Sequence, residues 1–283
     1  MYSQSITREH RTAFLIALDR SGSMCEMIET PDGLRTKAEV VCDITNSLLF
    51  ELIERARRHD GVRNYYDIAV IGYSGGGIEP LLGDKWFLPV SELASLEPTI
   101  TTRVVNRTTP DGKQTLHRLQ SPAWITPNAE GETPMYELFC QIHSLVKEWC
   151  ADPSHRESFP PVVFHITDGE ASDCCREDLV ALCRAIGEEA TADGATLLLN
   201  SHLSSNTLQP RILFPNRIEE LHENRYARVL YACSSEMPAC FEEQIRHLRG
   251  DHAPGPFRGM SYNCSIRELV SLLNIGSISR PLL

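Results

Sequence analysis

The sequence lacks the features that mark an exported or membrane-spanning protein. Its N-terminal segment, residues 1–11, carries charged residues and no apolar stretch, so no signal peptide is expected. Its apolar runs are of strand length, far below the ~20 residues that a membrane helix needs. No C-x-x-C pair occurs among the ten cysteines, and their scatter favours free thiols in a reducing compartment. These absences together predict a cytoplasmic protein.

The sequence also has fewer basic than acidic residues. The 283 residues include 27 Lys and Arg against 38 Asp and Glu, which gives a formal net charge of −11. A negative field repels phosphate groups, so neither nucleic acid nor an anionic membrane is an expected partner. No G-x-x-x-x-G-K-[ST] segment is present, so nothing indicates a nucleotide-binding P-loop. Nothing in the sequence indicates an oligomeric state.

Apolar segments of two kinds alternate along most of the chain. Short, continuous apolar runs predict buried strands at 12–18, 66–74, 162–167, 195–203 and 228–232. Apolar residues three and four apart predict helices at 36–58, 135–150, 179–192, 240–248 and 265–273. The alternation predicts one doubly wound α/β domain over residues 1–283, with a mostly parallel sheet and helices on both faces. Residues 78–82 are expected to return along 66–74 as an antiparallel edge hairpin.

Residues 84–131 differ from the rest, because they are rich in proline and threonine and lack helical periodicity. Weak strands at 99–105 and 113–119 flank Pro110-Asp111-Gly112, which is typical of a hairpin turn. The segment is too short for a core of its own. It is therefore predicted to be an inserted, surface-facing subregion.

Oxygen-bearing side chains follow two of the predicted strands. Asp19 and Asp168 end a strand each, Ser21 and Ser23 come directly after Asp19, and Thr133 precedes the helix at 135–150. Thr133 is placed either to cap that helix or to face the ends of the strands, where ligands gather in such sheets. Carboxylate and hydroxyl oxygens suit Mg²⁺, Mn²⁺ or Ca²⁺ rather than zinc or copper.

Three segments resemble a known metal site. Asp19-x-Ser21-x-Ser23, Gly131-Glu132-Thr133-Pro134 and Ile166-Thr167-Asp168-Gly169 resemble the metal-ion-dependent adhesion site of von Willebrand factor A-type domains, in that family's order. The resemblance covers most of the chain except residues 84–131. It implies a doubly wound α/β fold in which Ser21, Ser23 and Thr133 bind the metal directly. Asp19 and Asp168 would act mainly through water or hydrogen bonds.

The resemblance also implies a function. Neutral hydroxyl ligands cancel little of the ion's charge, so the open coordination position favours an Asp or Glu supplied by a protein partner. The expected role is metal-dependent protein–protein interaction rather than catalysis. Segments 212–215, 233–238 and 257–260 further resemble intracellular bacterial members associated with tellurite resistance, which implies an adaptor in signalling or stress response.

Other functions remain open at this point. A Mg²⁺-dependent phosphatase or nuclease could use the same oxygen atoms, although such enzymes usually need more carboxylates and a nearby base. A subunit of a metal-chelatase-like complex is a further alternative. Residues 72–76 match the G-x-S-x-G elbow of hydrolases, with Ser74, Asp168 and His202 in hydrolase order, but glycines rather than a helix follow. His165 is expected to be a hydrogen-bonded core residue, and Glu170 a solvated carboxylate.

Overall fold

The computed structural model describes residues 2–30, 33–108, 114–204, 210–221 and 223–263. Six α-helices lie in these ranges: α1 (Lys37–Ala56), α2 (Val90–Ser95), α3 (Met135–Ala151), α4 (Arg176–Glu188), α5 (Arg225–Cys233) and α6 (Glu242–Arg249). Within them no helix has both the length and the apolar character of a membrane span. The strands are β1 (Thr12–Asp19), β2 (Met27–Thr30), β3 (Gly33–Thr36), β4 (Arg57–Arg58), β5 (Gly61–Val62), β6 (Tyr66–Ser74), β7 (Gly77–Pro80), β8 (Leu88–Pro89), β9 (Thr99–Thr108), β10 (Gln114–Ala123), β11 (Val162–Thr167), β12 (Leu197–His202), β13 (Ile212–Leu213) and β14 (Met260–Tyr262).

A mainly parallel sheet forms the centre of the molecule. Its strand order is β13-β14-β12-β11-β1-β6-β7, and β8 also pairs with β6. The pairs from β14 through β6 are parallel, whereas β7 and β8 run antiparallel to β6 and β13 runs antiparallel to β14. The predicted fold class and the edge hairpin of β6 with β7 are therefore confirmed. The antiparallel pair at the opposite edge was not predicted.

Strand β1 shows why helices cover both faces of the sheet. All its residues are buried, and successive side chains point to opposite faces. Phe14, Ile16 and Leu18 pack into the cluster that contains the apolar residues of α1. Ala13, Leu15 and Ala17 pack into the second cluster, with α3, α4 and α5. A strand buried on both sides is apolar at successive positions, which is why Ala13 to Leu18 form one continuous apolar run between the polar end residues Thr12 and Asp19.

The start of α1 is fixed by a capping box. The Thr36 hydroxyl accepts a hydrogen bond from the Glu39 backbone N–H (3.2 Å), and the Glu39 carboxylate accepts one from the Thr36 N–H (2.9 Å). Two otherwise unpaired amides of the first turn are thereby satisfied. The observed helix is thus shorter than the predicted one at 36–58, because residue 36 is the cap and residues 57 and 58 form β4.

Two predictions near the C-terminal half were wrong. Residues 228–232 belong to α5 rather than to a strand: Asn224 caps this helix through its side chain, which accepts from the Ala227 N–H at 2.9 Å. Ala227, Leu230 and Cys233 are buried at helical spacing. Helix α4 begins at Arg176 and ends at Glu188, earlier at both ends than predicted. The helix predicted at 265–273 lies outside the described residues.

The predicted hairpin in 84–131 is present and longer than expected. Strands β9 and β10 pair antiparallel from Thr99↔Ala123 to Thr108↔Gln114, and the predicted turn at 110–112 lies outside the described residues. The Asn46 side chain on α1 anchors its base, since it accepts from the N–H groups of Trp124 (2.8 Å) and Ile125 (3.1 Å). That residues 84–131 form an insertion in a single domain stays a prediction.

The three C-terminal segments of the narrower resemblance pack together at the β13–β14 edge. Backbone hydrogen bonds join Met237 N–H to Phe257 O (2.8 Å), Gly259 N–H to Ser235 O (2.8 Å) and Phe214 N–H to Met260 O (2.8 Å). These segments therefore form one connected backbone structure at this edge of the sheet.

Candidate metal centre

The candidate site lies where parallel strands β1 and β11 end side by side. Leu18 pairs with Ile166, so Asp19 and Thr167 follow at the same level, and Asp168 leaves the sheet directly after Thr167. Because the carboxyl ends of parallel strands share one edge, residues far apart in the chain are brought together here.

Asp19 is held in a fixed orientation below the loop that follows it. Its carboxylate accepts from the Ser21 N–H (2.9 Å, Oδ1) and from the Thr167 hydroxyl (2.6 Å, Oδ2). The residue is 2% exposed. Burial raises the pKa of Asp19, and the hydrogen bonds from Ser21 and Thr167 act in the opposite direction. Both oxygens have protein donors, which fits a carboxylate that positions the loop.

A line of oxygen atoms connects Ser21, Ser23 and Asp168. The Ser21 and Ser23 Oγ atoms are 3.2 Å apart, and the Ser23 hydroxyl donates to Asp168 Oδ1 at 2.7 Å. Ser21 is buried, whereas Ser23 faces solvent. The cluster is therefore open on the side of Ser23.

The spacing of the Ser21 and Ser23 hydroxyl oxygens fits two neighbouring ligands of an octahedral ion. Mg²⁺ takes oxygen ligands at 2.0–2.1 Å in octahedral geometry, so neighbouring ligand oxygens lie about 2.9 Å apart. The Ser21–Ser23 separation of 3.2 Å is close to that value, whereas the 2.7 Å from Ser23 to Asp168 is the length of a hydroxyl–carboxylate hydrogen bond. Within the described residues, no group of three or more His, Cys, Asp and Glu side chains is arranged to hold a metal. A site here would accordingly depend on hydroxyl ligands.

The third segment is attached by backbone contacts. Gly22 N–H donates to Gly131 O (2.9 Å), and Glu130 N–H donates to Arg20 O (2.8 Å). Thr133 is bonded through its backbone to Ser172, and a Cβ built on Gly169 would lie 3.9 Å from Thr133 Oγ1. Thr133 thus lies beside the loop after β11. Among the described residues, no hydrogen bond joins its hydroxyl to Ser21, Ser23 or Asp168.

Thr133 does not cap α3, contrary to one of its two expected roles. The helix begins at Met135, and Pro134 precedes it without a side-chain cap. The Asp173 carboxylate caps it instead, accepting from the N–H groups of Tyr136 (3.0 Å) and Glu137 (2.9 Å). Ser172 and Asp173 shortly precede α4 in the sequence but do not cap it, because Ser172 accepts from the Thr133 N–H and Asp173 caps α3. The Thr133 hydroxyl is therefore not used by the helix.

A lysine, absent from the sequence-based site, is bonded to Asp168. The Lys37 ammonium lies 2.6 Å from Asp168 Oδ2 and 2.7 Å from Glu26 Oε2. The side chains of Lys37 and Asp168 are 3% and 1% exposed. Lys37 is the first residue of α1, where a positive charge opposes the helix dipole. No spacing rule indicates this contact, since Lys37 and Asp168 are 131 residues apart.

The remaining candidates have structural roles or lack a catalytic arrangement. Ser74 ends β6, which turns into antiparallel β7 rather than into a helix, and its hydroxyl accepts from Gly76 N–H at 3.3 Å. His202 lies on β12, separated from β6 by two strands. Neither nitrogen of its ring has a hydrogen-bond partner among the residues that the structure describes, and the ring stacks on Tyr262. This arrangement does not support a serine hydrolase. Glu170 is exposed but forms an ion pair with Arg225 at 2.7 Å.

His165 is a hydrogen-bonded core residue, as expected. Its Nδ1 lies 2.8 Å from Asn200 Oδ1, which can only accept, so Nδ1 carries the proton and Nε2 accepts from the Tyr73 hydroxyl at 2.7 Å. Burial lowers the pKa of His165 to about 4, so the ring is neutral at pH 7.

No protein-family model and no curated protein matches the chain. Among solved structures, the chain is similar to one described as "von Willebrand factor type A from Catenulispora acidiphila", with a TM-score of 0.40, 15% identity and 84% of this chain covered. The chain spans 42% of the length of that structure. The fold class stated above follows from this chain's own strand order. The resemblance to von Willebrand factor A-type domains at the site follows from the three motifs.

Proposed function

We propose that this protein is a divalent-metal-dependent protein-interaction module. Ser21, Ser23 and Thr133 would hold the ion, Mg²⁺ or else Mn²⁺ or Ca²⁺, while Asp19 and Asp168 orient the hydroxyls. When bound, the ion supplies an electrophilic position for an anionic oxygen, here the Asp or Glu side chain of a protein partner.

One observation carries the proposal. Two hydroxyl oxygens of the loop after β1, Ser21 Oγ and Ser23 Oγ, lie 3.2 Å apart, close to the spacing of neighbouring octahedral ligands, and the Ser23 hydroxyl is hydrogen-bonded to Asp168 on a second loop at the carboxyl edge of the sheet. The unused hydroxyl of Thr133, on the third loop, supports the same interpretation.

Protein interaction is favoured over hydrolysis by what the oxygen cluster contains. Metal-dependent hydrolases usually place several carboxylates and a general base around the ion. Among the described residues, Asp19 and Asp168 are the carboxylates that contact the serine loop, and each already accepts two hydrogen bonds. The buried imidazoles on the adjacent strands β11 and β12, His165 and His202, have pKa values lowered to about 4 by burial. We extend the proposal to a cytoplasmic bacterial adaptor, supported by the likeness of the three C-terminal segments to tellurite-resistance-associated members.

Direct metal binding tests the proposal. Mn²⁺ binding to the full chain, followed by the electron paramagnetic resonance of free Mn²⁺, should be saturable with one site and displaced by Mg²⁺. Ser21→Ala should weaken it at least about tenfold, since one ligand is lost. Ser95→Ala, which removes an exposed serine hydroxyl at the end of α2, is the matched control and should change nothing. Equal binding by both variants would contradict the proposal.

The interaction itself needs a second measurement. Proteins captured from the native cell on the immobilised chain should include one that is retained in Mg²⁺, released by EDTA and absent from the Ser21→Ala column. Phosphate release or nucleic-acid cleavage that depends on Mg²⁺ and disappears in Asp19→Ala would instead establish the hydrolase alternative.

A further inference from the structure

The buried ammonium of Lys37 is the most unusual charge beside the candidate metal centre. It bonds to Asp168 Oδ2, while the other oxygen of the same carboxylate accepts from the Ser23 hydroxyl. One carboxylate thus links a lysine on one side to a candidate metal ligand on the other. A lysine this deeply buried has to be paired, and its placement at the dipole-positive end of α1 makes the pairing with Asp168 more necessary.

The charges around this carboxylate determine what the site attracts. Three charged side chains are buried here: Asp19, Asp168 and Lys37. Their net charge is −1, so a divalent ion leaves the loaded site at +1, whereas without Lys37 it would be neutral. Glu26 also contacts Lys37, but its side chain is 52% exposed, and solvent screens its charge. His202 adds no charge, because burial lowers its pKa to about 4.

We infer that Lys37 is a specificity-determining residue, which weakens the site's hold on the ion and strengthens the loaded site's hold on an acidic ligand. The inference rests on the proposed function and deepens it. An ammonium bonded to the same carboxylate repels a divalent cation and makes Asp168 a weaker hydrogen-bond acceptor for the Ser23 hydroxyl, which leaves the Ser23 oxygen less electron-rich as a ligand. The same positive charge, buried and little screened, attracts a carboxylate once the ion is present. The two effects have opposite signs.

Opposite signs give a test that a purely structural role would not pass. The Kd of Mn²⁺ is measured for wild type and Lys37→Met in a buffer free of carboxylates. The affinity of the Mn²⁺-loaded protein for acetate is then measured from the water-proton relaxation of the bound Mn²⁺. Lys37→Met should bind Mn²⁺ about tenfold more tightly and, once loaded, acetate about tenfold more weakly. Lys85→Met, which removes an exposed lysine paired with Glu92, should leave both values unchanged.

The outcomes separate this inference from the proposed function. If wild type and Ser21→Ala bind Mn²⁺ equally, the site itself is refuted and the role of Lys37 with it. If Ser21 is needed for Mn²⁺ but Lys37→Met weakens both ligands, or shifts only one of them, Lys37 is structural and the inference alone is overturned. Should Lys37→Met unfold in the absence of metal, as judged by circular dichroism, Lys37→Gln is measured in its place under the same criteria.

Discussion

A single added methyl group on Gly131 would disrupt its close approach to the backbone of Gly75. Gly131 has a φ of +72°, a left-handed conformation that favours glycine. A Cβ on Gly131 would lie 2.8 Å from Gly75 Cα and 2.9 Å from Gly75 N. Both are backbone atoms, which cannot rotate away. Gly131→Ala should therefore push the loop that carries Thr133 away from the end of β6.

The size of the effect follows from a matched glycine elsewhere. Gly250, after α6, has a φ of +70°, and no atom of the described part of the chain lies within 4 Å of a Cβ built on it. Gly250→Ala should cost only the left-handed strain, about 1 kcal/mol of unfolding free energy. Gly131→Ala carries the same strain together with overpacking of about 1–3 kcal/mol. The two variants should thus differ by roughly 1–3 kcal/mol.

Urea unfolding in EDTA, followed by far-ultraviolet circular dichroism, measures the difference in the free energy of unfolding between the two variants in the absence of metal. Mn²⁺ binding then reports on the site: Gly131→Ala should bind more weakly than wild type, and Gly250→Ala should bind equally well. Equal destabilisation by the two substitutions would refute the steric argument. Unchanged Mn²⁺ binding by Gly131→Ala would refute the assignment of its loop to the site.

Three further predictions concern the elements around the site. Thr36→Ala removes the capping box of α1 and should cost about 1 kcal/mol in urea unfolding, whereas Thr36→Ser should be nearly neutral; equal losses would contradict the cap. Asp173→Ala should lower the free energy of unfolding by about 1–2 kcal/mol and weaken Mn²⁺ binding, because α3 loses its cap beside Thr133. A loss of stability with unchanged Mn²⁺ binding would show that this cap does not position Thr133 for the ion. His165 has a native pKa of about 4, so the unfolded chain binds its proton more readily and stability should fall as the pH drops from about 6.5 towards 4. His165→Gln should flatten that decline by up to roughly 3 kcal/mol, measured by urea unfolding across this range; parallel curves would show that His165 does not titrate as described.

The central part of the fold could be predicted because its strands are buried on both faces. The continuous apolar runs of β6 and β11 gave bounds that match the structure, Tyr66–Ser74 and Val162–Thr167. Residues 228–232 misled, because a short apolar run fits a strand and a helix equally well. The signal that decides it, the Asn224 cap, lies upstream of the run. Strands of two or three residues such as β13 and β14 have too few positions to show any periodicity.

In the candidate site, too, residues in a local motif could be predicted from the sequence, whereas those held by long-range contacts could not. Asp19, Ser21 and Ser23 stand close together in the sequence, so a local motif could indicate them. The bond from Lys37 to Asp168 joins residues 131 positions apart, and no local sequence pattern around either residue predicts it. Asp173 shows the same limit, because a sequence pattern assigns a cap to the helix that follows it, whereas this carboxylate turns back to α3.

The cap on α3 also bears on how the polypeptide can be divided. A helix usually has its start signal just ahead of it, but the carboxylate that ends the first turn of α3 comes 36 and 37 residues after the amides it binds. Cleavage in the connection between α3 and β11 would leave an amino-terminal fragment in which the first turn of α3 has no cap. The capping carboxylate would be on the carboxy-terminal fragment, so the amino-terminal fragment would depend on its complement to complete α3.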